Sequence, residues 1–201
     1  CILSRPATPP SYGKYYGGVD VARLGQDSSS FEIIRKIDKE HAEQVENQTT
    51  RRTLTTDTAK QIKDLQAIWK CRMWGIDGAG VGGGVLDQCM LTPELKYKVQ
   101  DLTNAKRAID ADGKGMVRLL KEEMYVNLLR MLENGELRLL SDESIIESMV
   151  SILYEYDEKG KMRVFGGNTH IAEGLIRAAW LAAKDKSLNL FATSSNDTKW
   201  R

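Results

Sequence analysis

"WGIDGAGVGGG", residues 74–84, decides how this chain is read, because it sets an aspartate and six glycines at the end of an apolar run. Two chemistries fit it. In the first, Gly78, Gly80 and Gly83 form the dinucleotide fingerprint G-x-G-x-x-G. A strand precedes them, a helix follows, and Asp101 lies 18 residues beyond Gly83, near the place of an acid that binds a ribose hydroxyl. Two features oppose this reading. The fingerprint normally opens its fold, whereas three candidate strands and a helix come before it here. Asp77 would also repel the pyrophosphate that the glycines would cradle. A P-loop fits less well still, since no Gly-Lys-Ser/Thr closes the glycine run. In the second chemistry Asp77 itself is the point: a strand-end carboxylate that holds a cation.

The bulk numbers set the frame. A chain of 201 residues, 41% hydrophobic and 28% charged, is long enough to bury a core and has the balance of a folded domain. No apolar run approaches the roughly 18 residues of a membrane span, so no membrane partner is expected. Cys1, Cys71 and Cys89 form no CxxC pair, which argues against a disulfide framework or a thiolate zinc site. Residues 1–13 hold three of the four prolines and are expected to be a linker from a missing upstream domain. Residues 187–201 are expected to be a weakly structured tail. Net charge is +1 but uneven: seven basic side chains face three acids between Lys96 and Lys121, and eight acids face one arginine between Glu133 and Glu158. The basic segment is either a solvated face or a surface that meets a polyanion.

The order of elements follows from periodicity. "KYYGGVDVARLG", "SSSFEIIRKI" and "AEQVENQTTRRTL" read as three strands of a meander, the third polar and therefore half exposed. A helix from about Thr58 to Lys70 comes next. "CRMWGID" reads as a short buried strand, "GGGVLDQCML" as a helix bounded by Pro93, and "LKYKVQDL" as a strand. "NAKRAIDADGKG" has no period and reads as a loop. A long helix spans about Val117 to Glu133 and ends near Gly135. "ELRLL" is a strand, and Ser141 or Asp142 caps the helix after it. "LYEYDEKGKMRVFGG" reads as a hairpin, and "HIAEGLIRAAWLAAKD" as the last helix. The sum is an α/β domain with a mixed sheet.

Asp20 repeats the puzzle of Asp77. It is flanked by Val19 and Val21 as Asp77 is preceded by Ile76, and a lone carboxylate there protonates or finds a cation. Two strand-borne acids in one sheet can share a divalent ion, and oxygen ligands point to magnesium or manganese. Taken singly, each is also readable as a turn or capping aspartate. His170 and Glu173, three apart, lie on one face of the last helix, which is otherwise mainly apolar or small. A glutamate on such a face needs a partner.

The blocks "GVDVARLGQDSS", "GIDGAGVGGGVLDQ", "ENGELRLLSDES" and "HIAEGLIRAAWLA", in this order with a basic loop and a helix between the second and third, closely resemble the nuclease domain of viral DNA-packaging terminase large subunits. The resemblance covers roughly residues 14–185. It implies an RNase H-like fold over residues 14–186, a mixed sheet with helices on both faces. The family's first catalytic aspartate falls on Asp20 and its second on Asp77. Its closing block normally carries acids where His170 and Glu173 stand, and Gly174 replaces an alanine. Glu173 is therefore the better third ligand, with His170 auxiliary. Asp27 matches a further acid of the first block, as a brace behind the ligands or a turn residue.

By the same resemblance the reaction is two-metal phosphodiester hydrolysis, with two Mg²⁺ or Mn²⁺ ions held by Asp20, Asp77 and Glu173. Lys96, Lys98, Lys106, Arg107, Lys114 and Arg118 are candidates for sequence-independent contact with the DNA backbone. The implied substrate is concatemeric double-stranded viral DNA, cut in the host cytoplasm. The implied partners are an ATPase domain of the same polypeptide, the capsid portal and the small terminase subunit. Two rivals stay open: a dinucleotide-binding domain built on Gly78–Gly83, and a non-catalytic RNase H-like module that docks DNA or the portal.

Overall fold

In a computed structural model, residues 2–22, 28–109, 115–156, 158 and 162–185 are described. Asp27, Lys114 and the expected tail lie outside them.

The meander is present. Strand β2 (Lys14–Asp20) pairs antiparallel with β3 (Ser28–Lys36), and β3 antiparallel with β4 (Ala42–Arg51), across a bulge at Ile33/Ile34. After helix α1 (Thr55–Trp69), strand β5 (Met73–Ile76) enters parallel to β2 on its other side. Helix α2 (Val81–Leu91) then leads to β6 (Val99–Asp101), parallel to β5. A strand this short follows because residues 92–98 form turns rather than extending it. Strand β9 (Leu137–Leu140) lies parallel to β4 on its other side. The segment expected to be a linker also enters the sheet: Ile2–Leu3, β1, pairs with β9.

Helices cover both faces, as expected. On one face α1 and α2 bury Ile62, Leu65, Trp69 and Val85 against Val19, Phe31, Ile33 and Trp74. On the other lie α3 (Leu120–Glu133), α4 (Glu143–Val150) and α5 (His170–Lys184). They bury Met124, Leu128, Ile145, Leu175 and Ile176 with Tyr16 and Ile34. Helix α5 lies tight against the sheet. A methyl group on Gly18 would sit 2.1 Å from the Gly174 carbonyl oxygen and 2.5 Å from the Ala178 nitrogen, so only glycine admits this approach.

Further elements differ from expectation. The segment read as a loop contains β7 (Arg107–Ile109), which pairs with β8 (Gly115–Leu119) outside the main sheet. Helix α3 therefore starts at Leu120 rather than Val117. Its first turn is held by the Glu122 carboxylate, which accepts the Leu119 N–H at 3.3 Å. Strand β4 is polar yet buried from Ala42 to Asn47, because its polar side chains have buried partners: Glu43 pairs with Arg35, and Gln44 and Asn47 donate to Glu32. The helix α4 cap is Asp142, whose carboxylate accepts from the Ser144 N–H at 2.9 Å. The expected hairpin is β10 (Leu153–Tyr156) with β11 (Met162–Phe165).

Candidate active site

The register of β2 and β5 places the first two acids. Gly18 stands opposite Gly75 and Val19 opposite Ile76, so Asp20, the last residue of β2, and Asp77, the first after β5, emerge together at the carboxyl end of the two strands. Alternation puts Asp20 on the same face as Gly18, beneath α5. That helix starts above it: the His170 Nδ1 lies 2.9 Å from Asp20 Oδ2. One turn on, Glu173 is buried at 6% exposure.

What joins the three carboxylates is a residue the sequence reading passed over. Arg177, four residues after Glu173 on α5, is completely buried. Its Nη2 donates to Asp77 Oδ2 at 2.9 Å and to Asn104 Oδ1 at 2.9 Å. Its Nη1 donates to Glu173 Oε2 at 3.2 Å and to the Glu173 carbonyl, and lies 4.0 Å from Asp20 Oδ1. Glu173 is further engaged: Oε1 accepts from the Tyr125 hydroxyl at 2.9 Å and from Lys121 at 2.8 Å, and Oε2 from Asn104 at 3.4 Å. Burial pushes the Glu173 carboxyl up, but Arg177 and Lys121 outweigh it and hold it below its ordinary value. Burial, reinforced by the Glu173 charge, raises the Tyr125 phenol, which stays a donor.

Among the described residues no three His, Cys, Asp or Glu side chains are grouped as a metal ion would need. The acids expected to make that group converge on a guanidinium instead. Asp20 and Asp77 keep solvent access, at 18% and 16% side-chain exposure, so theirs are the oxygens a cation from solution could reach. Glu173, at 7%, has both oxygens committed. Asp77 is oriented by the Ala79 N–H, which donates to its Oδ1 at 3.0 Å.

The glycines after Asp77 serve the turn. A methyl on Gly82 would fall 1.7 Å from the Asp77 carbonyl oxygen, so α2 starts hard against the strand end. Asp101 is not presented to a ribose. It accepts from the Gly78 N–H at 3.0 Å, from Thr103 at 2.6 Å and from Lys106 at 2.6 Å. Burial raises its carboxyl, and these donors together hold it low. With β2 and β3 antiparallel, the sheet is not the parallel one that a dinucleotide fold requires.

The basic candidates divide. Lys106, paired with Asp101, stands at the same edge of the sheet as Asp20 and Asp77. Arg107 and Arg118 lie on β7 and β8, outside the main sheet. Lys98 stands beside Trp74, whose N–H donates to its carbonyl at 2.7 Å, at the opposite end of β5 from Asp77. Lys96, two residues earlier, packs over the Tyr97 ring at 5.3 Å. The structure does not bring Lys96 and Lys98 to the carboxylates. Arg177 carried a sequence signal: it is a second charge on the buried face of α5, at the spacing that meets Glu173. Lys121, Tyr125 and Asn104 come from distant elements and carried none.

Comparison with solved structures places this arrangement. The nuclease of the large terminase from thermophilic phage G20c, solved with bound magnesium, superposes with a TM-score of 0.70 at 16% identity, covering 89% of this chain and 91% of that one. The chain has the fold of a large terminase nuclease domain. The large terminase nuclease domain of bacterial virus Sf6, solved with manganese and beta-thujaplicinol, gives 0.69 at 15% identity over 85% of this chain and 89% of that one. The large terminase of another thermophilic bacteriophage, solved in complex with ATP-gamma-S, gives 0.60 at 15% identity. There the match spans 86% of this chain and 41% of that terminase. No protein-family model matches the sequence, and no curated protein sequence matches it. The RNase H-like expectation for this sheet and its two helical layers is met. No helix among the described residues is long and apolar enough to cross a membrane.

Proposed function

We propose that this chain is a metal-dependent endonuclease acting on double-stranded DNA, the nuclease part of a viral packaging enzyme. The observation that carries it is the pair Asp20 and Asp77, side by side at the carboxyl edge of adjacent parallel strands in a terminase-nuclease fold. Mg²⁺ or Mn²⁺ on this pair would supply Lewis acidity towards a phosphodiester and an acidified water. The chain's own groups prepare that site. His170 fixes one oxygen of Asp20, the Ala79 N–H fixes one of Asp77, and Arg177 holds Asp77 to α5. Lys106, with Arg107 and Arg118 on β7 and β8, would meet the DNA backbone, with Lys96 and Lys98 reaching it only along a longer duplex path; Lys114, outside the described residues, would be a further backbone contact. Asp27, outside the described residues, would brace the ligands as the family pattern implies. Two ions need a third ligand, and Glu173 or His170 serves only by giving up its present partners.

In this reading the substrate is concatemeric viral DNA, cut during packaging in the host cytoplasm. An ATPase domain of the same polypeptide, the portal and the small terminase subunit are the partners. The test is incubation of purified protein with supercoiled plasmid. Nicked and linear products are expected with Mn²⁺ or Mg²⁺, none with chelator, and none from Asp20→Asn or Asp77→Ala. Full cleavage by Asp77→Ala overturns its assignment. A second reading, DNA docking without cleavage, is favoured by one observation: a buried arginine already pairs with two of the three carboxylates. Salt-sensitive DNA binding with no cleavage under any metal would establish it.

A further inference from the structure

We propose that Arg177 permanently fills the place of a second cation, so that this site takes up one divalent ion, between Asp20 and Asp77, while Glu173 anchors Arg177 rather than binding metal. The inference rests on the reading of Asp20 and Asp77 as metal ligands.

Three observations carry it. One guanidinium reaches all three acids, at 2.9 Å from Asp77, 3.2 Å from Glu173 and 4.0 Å from Asp20. Arginine keeps its charge at any working pH, so this cation cannot leave by deprotonation. It also cannot easily swing away. It is fully buried, its Nη atoms are tied to Asn104 and to the Glu173 carbonyl, and its β-carbon packs over Gly75, where an added methyl would meet it at 3.2 Å.

The second point is the supply of lone pairs. Each Glu173 oxygen takes two donors, Tyr125 and Lys121 on one and Asn104 and Arg177 on the other, whereas the Asp77 oxygens take one each from Ala79 and Arg177, one Asp20 oxygen meets His170, and both aspartates are partly open to solvent. The third is charge. Three carboxylates set against Arg177 and Lys121 leave one net negative charge, which a single divalent ion overcompensates until a phosphate arrives. A second ion would add two further positive charges where nothing on the protein offsets them.

The test is Mn²⁺ binding to the full chain, measured by calorimetric titration and by the electron paramagnetic resonance of free Mn²⁺, with no DNA present. Wild type is expected to bind one ion. Arg177→Met is expected to bind two, and Arg177→Lys, which keeps the charge, one. Glu173→Gln is expected to bind one ion, weakened by less than the roughly tenfold that loss of even an indirect metal partner brings. Two tight ions in wild type overturn the proposal, as does a single ion in folded Arg177→Met or a larger loss in Glu173→Gln. Should Arg177→Met not fold, wild type and Glu173→Gln decide. No Mn²⁺ binding by wild type is a different failure, and sinks the assignment of Asp20 and Asp77 instead.

Discussion

Two buried glutamates meet at helix α5, Glu32 beneath it and Glu173 on it, and their surroundings drive them in opposite directions. Glu32 on β3 is fully buried and accepts from Ser30 at 2.5 Å, Asn47 at 2.6 Å and Gln44 at 2.7 Å. Burial outweighs these three bonds and pushes its carboxyl up to about 8. Glu173 is nearly as buried and as well supplied with donors, yet its carboxyl is held low. Hydrogen bonds alone do not decide the charge of a buried acid here; the charge of the donors does. Neutral donors leave Glu32 a protonated knot that ties β3 to β4. Arg177 and Lys121 keep Glu173 ionised, and with it a cluster of negative charge at the one edge where Asp20 and Asp77 reach solvent.

The sharpest way to break this contrast is to remove the charge from the second cluster. Arg177→Met is expected to lower unfolding stability in chelator by about 3–5 kcal/mol, the cost of stranding buried charge, and Mn²⁺ should recover part of it. Urea denaturation with and without the ion reads both effects. The first cluster is tested by pH. Glu32 binds its proton more tightly folded than unfolded, so its contribution is fully present below the ordinary value of 4.5 and is lost as pH rises to about 8. Wild type should lose up to about 4 kcal/mol over that window relative to Glu32→Gln. Urea midpoints of both proteins at pH 5, 7 and 9 check it; parallel curves would contradict it.

Smaller changes grade the comparison. Tyr125→Phe removes one neutral donor from Glu173 and leaves its cations, so a loss of about 1–2 kcal/mol is expected in thermal unfolding. His170→Ala breaks a partly exposed contact with Asp20 and should cost less than about 1 kcal/mol, while weakening Mn²⁺ binding more visibly than folding.

What the sequence disclosed follows the same division. The strand-end placement of Asp20 and Asp77 was legible because each follows an apolar run, where a carboxylate is conspicuous. Glu32 was hidden: β3 is buried on both faces, so no alternation marks which residues point to which layer. Strand β4 was read as half exposed because its polarity looked like contact with water, whereas much of it is contact with Glu32 and Arg35. Strands β7 and β8 pair with each other outside the main sheet, and no period in their sequence marked them as strands. Arg177 could have been found. Its charge on the small, apolar face of α5 is as unusual as that of Glu173, and the two are four residues apart.

The central claim is that Asp20 and Asp77 form a divalent-metal site in a nuclease whose third acid is held by an arginine. A crystal grown with Mn²⁺ and examined by anomalous scattering tests it most directly. The expected result is one strong peak touching carboxylate oxygens of both Asp20 and Asp77, with Arg177 still bonded to Glu173. Density that leaves Asp20 and Asp77 without an ion, at a Mn²⁺ concentration that supports cleavage, would contradict it.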